Sequence, residues 1–359
     1  MRILHLAAGN RWTGAAAPAF AEVEALRSAG IEAHYAYVGG YKLERKIGHL
    51  PFAHAIIDQA QNPISFWRSV QRIRRLVERE RIDVIHAHLT HDHWLARLAA
   101  GEQTLVARTW HSRRVLRMDP LSRSLLKATH VPFVVNAGFA DSPALAGRSV
   151  DFTPPPLDHR QFSAEGENVR AMYGLAPDTP LMTVIGKLAA GRGFEDALKT
   201  FACMRRNLPA AKLMVIGHGE HRPLLETLSR GIGIAGDVIW AGYHEHDLAE
   251  HYRAANALLF TAKGSDEGHR AVLEAMACGV PPVAYPIEGI AALLGDLGAT
   301  LISQEGSPSS LAARAEEVLR DGGLAGRVAA RSQEFGYARA ARRLLDGYAR
   351  AAEPVKVGL

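Results

Sequence analysis

Cysteine is nearly absent. Cys203 and Cys278 are the two found in 359 residues, too few for a disulfide framework and in keeping with a reducing cytosol. Long apolar runs are missing too. No stretch approaches the roughly 20 residues needed to cross a bilayer as a helix, and the opening MRILHLAAG is too short a run for a secretory leader. It reads directly as a first strand. Aromatic residues make up 7%, and they are not interleaved with basic ones in any recognisable nucleic-acid-binding module. Nucleic acid is therefore not an expected partner. Neither charge dominates: 42 Lys and Arg against 37 Asp and Glu leave a net +5. That balance permits an anionic ligand or an anionic lipid surface without requiring either. The expectation is a cytoplasmic protein, with peripheral attachment to the inner face of a membrane left open.

Short apolar runs alternate with amphipathic stretches along the whole chain. That order predicts parallel sheets with helices on both faces, and the length suits two domains. Strands are expected at 2–6, 31–37, 82–87, 104–107 and 131–135, with helices at 16–28 and 65–80. The pattern breaks at DFTPPPLDHRQF, residues 151–162, where Pro154, Pro155 and Pro156 can continue neither a helix nor a sheet interior. A second series follows at 181–185, 212–216, 238–240, 257–260, 283–285 and 300–302, and then helical sequence. The predicted division is 1–152, a linker at 153–163, 164–336, and a last helical segment at 337–359.

The stretch richest in chemistry is GSDEGHRAVLEAMACGVPPVAYP, residues 264–286. An apolar strand precedes it, and a helix is expected from about His269 to a stop at Gly279. In an open parallel sheet such a strand-to-helix junction faces the ligand crevice, and the first helical turn favours an anion such as a diphosphate. Asp266, Glu267 and Glu274 are out of place in an anion site unless they bind something else. Carboxylates accept hydrogen bonds from vicinal hydroxyls, so a ligand carrying both phosphates and sugar rings fits the mixture. Plainer roles stay open: Asp266 as a helix cap, Glu274 as the partner of Arg270 one turn earlier.

These residues resemble the E-x(7)-E block of the retaining family-4 glycosyltransferases, which have the GT-B fold. Glu274 through Pro281 match the second acid and its continuation. Counting back eight positions gives Asp266 for the first acid, one methylene short, with Glu267 one register away. The resemblance extends to VIGKLAAGRG, where Gly186 opens a loop carrying Lys187 and Arg192 in an order exchanged relative to the family. It extends further to the G-x-G at Gly217 and Gly219, to AGYHE with Tyr243 and His244, and to the linker through Asp158 and Phe162. In the first half, the loop from Gly9 to Gly14 resembles the family's glycine loop, and His111 in RTWHS its T-x-H position.

The resemblance implies an α/β protein of two Rossmann-like domains facing across a cleft, with the final helix crossing back to the first. It implies transfer of a sugar from a nucleoside-diphosphate donor to a glycan or lipid-linked acceptor hydroxyl, with retention, as in bacterial surface polysaccharide or lipopolysaccharide assembly. On this reading His111, Lys187, Arg192 and Asp266 serve catalysis. Gly14, Gly186, Gly217, Tyr243, His244, Glu267, Gly268, His269, Arg270 and Glu274 bind the donor. His86, His88, His91 and His93 in IHAHLTHDHW invite a metal reading. Only Asp92 stands near them and the resemblance needs no metal, so neither a metal nor a cofactor beyond the co-substrate is expected. The basic amphipathic stretches 67–81 and 113–127 fit either a membrane surface or solvated helix faces. A nucleotide-sugar 2-epimerase, a hydrolase or phosphorylase, and a non-catalytic nucleotide-sugar binder remain alternatives.

Overall fold

The computed structural model describes residues 1–9, 14–59, 62–262 and 268–353. The chain divides into two compact units, Met1–Pro156 together with the chain from Phe335, and Leu157–Glu334.

The first unit holds seven parallel strands: β1 (Arg2–Ala7), β2 (Glu32–Val38), β3 (Ala53–Ile57), β4 (Val84–Ala87), β5 (Leu105–Trp110), β6 (Val131–Val134) and β7 (Asp151–Phe152). Their order is β3-β2-β1-β4-β5-β6-β7. Strands buried on both faces read as continuous apolar runs, which is why β1, β2 and β6 stand out in the sequence. Two strands escape that signal. β3 is half-buried at the sheet edge and β7 is two residues long.

One face of this sheet is covered by the helix Ala16–Ser28 and by the last helix, Tyr337–Ala352, through Ala19, Val23, Leu26, Ala340, Ala341, Leu344 and Tyr348. The last helix comes close because it carries Gly347 here; a β-carbon there would lie 2.6 Å from the Phe133 ring. The opposite face is covered by Pro63–Glu80, whose Val70, Ile73, Leu76 and Val77 recur at the helical spacing. Trp67 and Ile64 on the same helix face solvent.

The second unit holds five parallel strands: β8 (Leu181–Ile185), β9 (Lys212–Ile216), β10 (Val238–Gly242), β11 (Ala257–Phe260) and β12 (Pro282–Ala284), ordered β10-β9-β8-β11-β12. The strand expected at 300–302 is not one. Gly298–Leu301 is a helical turn, and Ile302 makes a lone bridge to Ala284. Three apolar residues are too short a window to distinguish the end of a helix from a strand.

Both sheets reverse direction of growth once, between β1 and β4 and between β8 and β11. Open α/β sheets bind ligands at such a reversal, beyond the C-terminal ends of the two strands.

Candidate functional site

In the second unit the reversal is flanked by two helices, Phe194–Met204 following β8 and Arg270–Ala277 following β11. Their entry loops touch. Gly193, the N-cap of the first helix, has φ +80, and its carbonyl accepts the Thr261 hydroxyl at 2.7 Å. A β-carbon on Gly193 would sit 2.3 Å from the Thr261 carbonyl oxygen. Only glycine lets the two loops close on each other.

The β9 loop is knitted into the same surface. Gly217 adopts φ +134, and a β-carbon there would fall 1.8 Å from the Gly186 carbonyl oxygen. On Gly219 it would fall 2.1 Å from that of Leu188. Backbone bonds from Gly186 to Ile216, Leu188 to His218 and His221 to Leu188 complete the join. The G-x-G expected to admit a ligand thus first admits a neighbouring loop. Its close approach is to peptide carbonyls, and the β8 loop takes its shape from them.

That loop carries the two cations. Lys187 is exposed, with its Nζ 3.6 Å from Glu220 Oε2. Arg192 is half-buried, and among the described residues no carboxylate pairs with it.

On the far side of the reversal, His269 is the N-cap of Arg270–Ala277 in the left-handed region, φ 51 and ψ 41, a conformation that costs a non-glycine residue of order 1 kcal/mol or more. Its ring is held edge-on to Phe260, and Nε2 donates to the Glu288 carbonyl at 2.9 Å. Gly268 beside it is buried. The helix stops at Gly279, φ +71, as its sequence suggests.

Glu274 is buried one turn into that helix. Oε1 lies 2.8 Å from Arg270 Nε, and Oε2 accepts the Tyr252 hydroxyl at 3.0 Å. The Arg270 pairing foreseen as the plainer role is therefore present. It is joined by the fully buried Tyr252. Tyr252 in turn meets the ring of Phe162 edge-on. Asp266 and Glu267 lie outside the described residues.

Tyr243 and His244 sit beyond β10, whose Gly242 carbonyl accepts the Gly217 amide at 2.6 Å. The Tyr243 ring is exposed and meets His218 edge-on. His244 is turned inward: Nδ1 reaches the Asp247 carboxylate at 2.9 Å and Nε2 the Ala241 carbonyl at 2.9 Å. Both ring nitrogens thus hold the loop together.

In the first unit, Gly14 has φ +63 with open space about it, while residues 10–13 of the glycine loop are outside the described set. Asp92 ties the two loops at that sheet's reversal, accepting the Ala8 amide at 3.0 Å and the Leu89 amide at 2.8 Å. Burial lifts its carboxyl pKa to about 7, against the pull of those bonds and of Arg108.

His111 follows β5 and receives His88 Nδ1 at 2.9 Å from its Nε2. Displaced water and the positive charge of Arg108 hold the His111 imidazolium pKa down to about 3, so the ring is neutral at pH 7. The other histidines divide. His88 stacks against both His86 and His5, and the His86 ring lies tilted beside that of His5. His91 lies apart against Phe66, and His93 bonds the Thr129 hydroxyl.

Residues 166–335 match the family model for glycosyl transferases group 1, and residues 12–140 that for glycosyltransferase family 4. N-acetyl-alpha-D-glucosaminyl L-malate synthase of Bacillus anthracis is 23% identical over 87% of this chain and 86% of its own. Most other curated relatives are matched over about half their length; the lipopolysaccharide core biosynthesis glycosyltransferase LpsE of Rhizobium meliloti is 27% identical over 46% of this chain and 47% of its own. Among solved structures, HepE of Anabaena in complex with UDP superimposes with a TM-score of 0.77 at 14% identity, covering 98% of this chain and all of that one. Two Rossmann-like sheets, matched by family models in both halves, identify the chain as a family-4 glycosyltransferase of the GT-B fold.

Proposed function

We propose that the protein transfers a glycosyl group from a nucleoside-diphosphate sugar to an acceptor hydroxyl, with retention of anomeric configuration. The observation that carries this reading is the convergence at the β8/β11 reversal. Two helix N-termini flank it, the loop from β8 to the first of them carries Lys187 and Arg192, and the buried Glu274 carboxylate lies one turn into the second, held by Tyr252 and Arg270. The solved relative from Anabaena carries UDP, which supports a nucleotide donor here.

In this mechanism the diphosphate lies against the helix starts, where first-turn amides and the macrodipole favour anions. Arg192 offers a planar fork and Lys187 a point charge. Both stabilise the negative charge that grows on the leaving oxygens. Glu274 accepts from the ribose hydroxyls, the loop at Tyr243 borders the base, and the first acid of the motif, Asp266 or Glu267, faces the sugar. His111, neutral at pH 7, hydrogen-bonds the sugar near the reacting carbon. The leaving diphosphate takes the acceptor proton on the same face, so the step requires neither a nucleophilic carboxylate nor a metal.

The acceptor side fits a lipid-linked glycan in bacterial surface glycan or lipopolysaccharide assembly. Leu121, Met118 and Val115 are exposed among Arg113, Arg114, Arg117 and Arg123, a pairing that suits peripheral contact with anionic lipid. Leu121→Asp should weaken co-sedimentation with anionic vesicles; equal sedimentation would remove the membrane from the account. For the reaction itself, a thermal-shift screen of nucleotide sugars should name the donor, and NMR of the product should show the donor's anomeric configuration. An inverted product overturns retention. A sugar epimerised without any acceptor overturns transfer.

A further inference from the structure

The face of the first sheet beneath the Ala16–Ser28 helix carries a polar cluster that the transfer reaction does not use. His5 on β1 and His86 on β4 are register partners on adjacent strands. His88 follows two residues after His86, and Glu22 comes down from the helix. All four are fully enclosed, at 0%, 0%, 1% and 1% exposure.

Three atoms converge: His5 Nδ1, His88 Nε2 and Glu22 Oε2, separated by 2.9, 3.5 and 3.6 Å. The point equidistant from them lies about 1.9 Å from each. Zinc binds imidazole nitrogen at about 2.0–2.1 Å and carboxylate oxygen at about 2.0–2.2 Å. A fourth donor is at hand, since His86 Nδ1 is 3.9 Å from Glu22 Oε2. It also bonds the Tyr348 hydroxyl at 2.6 Å.

Without an ion the cluster is poorly satisfied. Glu22 Oε2 is buried with no hydrogen-bond partner among the described residues. A buried carboxyl in that condition is costly.

We propose that His5, Glu22 and His88, with His86 completing the set, bind one divalent transition metal of the zinc type in the interior of the first unit. Three imidazoles and one carboxylate, with no thiolate, suit zinc or its first-row neighbours. Calcium needs oxygen ligands at longer range. The role is structural: the ion fastens β1 and β4 to the helix above them. It has a second consequence, which rests on the proposed role of His111. A metal on His88 Nε2 leaves the proton on Nδ1, which then donates to His111 Nε2 and fixes the tautomer of that ring.

The test is metal content and response to chelation, read independently of transfer. Full-length protein produced in zinc-supplemented medium should carry about one zinc per chain by plasma mass spectrometry. Refolding with Co2+ should give the visible ligand-field bands of a tetrahedral site. Glu22→Gln should lose at least nine-tenths of the metal, whereas His91→Ala, at the histidine outside the cluster, should keep it. Should Glu22→Gln fail to fold, wild-type chain refolded with chelator must melt lower than the same chain refolded with zinc. Metal-free protein whose melting temperature ignores zinc overturns the proposal, and so does stoichiometric zinc retained by soluble Glu22→Gln.

Discussion

Glu274→Gln separates a side chain that merely holds its helix from one that also holds a ligand. The substitution keeps size and shape. In the wild type both carboxylate oxygens are engaged, Oε1 by Arg270 Nε at 2.8 Å and Oε2 by the Tyr252 hydroxyl at 3.0 Å. Gln retains one carbonyl oxygen for Arg270, and its amide can donate to Tyr252, whose hydroxyl also accepts. The Tyr252 bond thereby becomes a neutral one and the Arg270 bond loses its anionic acceptor, a loss of about 1–2 kcal/mol. Arg270 is roughly half exposed and can turn to water, so no unpaired buried charge remains. For a unit the size of Leu157–Glu334, melting should fall by about 2–8 °C. Donor binding should suffer more. If the carboxylate accepts from ribose hydroxyls, its replacement removes about 1.5–3 kcal/mol of charge-assisted bonding, a rise in Kd of about 10- to 150-fold. Titration calorimetry with the donor found by thermal shift, well below the variant's melting temperature, gives the answer. An unchanged Kd in a folded Glu274→Gln would refute the ligand role and leave the residue a structural ion pair.

Arg192→Ala should lower turnover by roughly 10²- to 10³-fold, as loss of one charge-stabilising donor does, with melting shifted by no more than about 1 °C; normal turnover at saturating donor would remove Arg192 from the chemistry. Gly217→Ala should destabilise by about 4 kcal/mol or more, because its β-carbon would lie 1.8 Å from the Gly186 carbonyl oxygen at φ +134. Gly236→Ala, with open space around it, is the control, and equal denaturation midpoints for the two would contradict the interlocked loops. Burial, with Arg108 and Arg97 adding to it, holds the His93 pKa down to about 3. The unfolded chain therefore takes up a proton near pH 6.5 that the folded chain refuses, and stability is lost as pH falls from there towards 3. His93 alone should contribute a loss of about 2 kcal/mol between pH 7 and pH 5, measurable by urea unfolding and absent in a folded His93→Gln.

Particular elements show which features could be read early. β1, β8 and β11 are visible as apolar runs bounded by glycine or polar residues, and Gly279 as a helix stop, because burial on both faces and a left-handed cap each demand specific residue types. β3 and β7 had no such signature, one lying half-wet at an edge and the other two residues long. Lys187 and Arg192 could be assigned to one loop from sequence. That Lys187 leans towards Glu220 while Arg192 has no acidic partner among the described residues depends on the folded β8 and β9 loops. Likewise the histidine run in 85–94 suggested its own members as neighbours. The fold instead took His86 and His88 from it, added His5 and Glu22, and left His91 and His93 elsewhere.

The order of residue types was enough to determine two parallel-sheet domains, the acid-bearing helix after β11 and the cationic loop after β8, because local propensity and the periodicity of burial are written residue by residue. Strand order was decided only in three dimensions. It makes β8 and β11 neighbours although more than seventy residues separate their starts, and it sets Tyr252 on Glu274 and His5 beside His86. Those pairings arise from packing between segments distant in the chain, for which no local pattern of residues carries a signal.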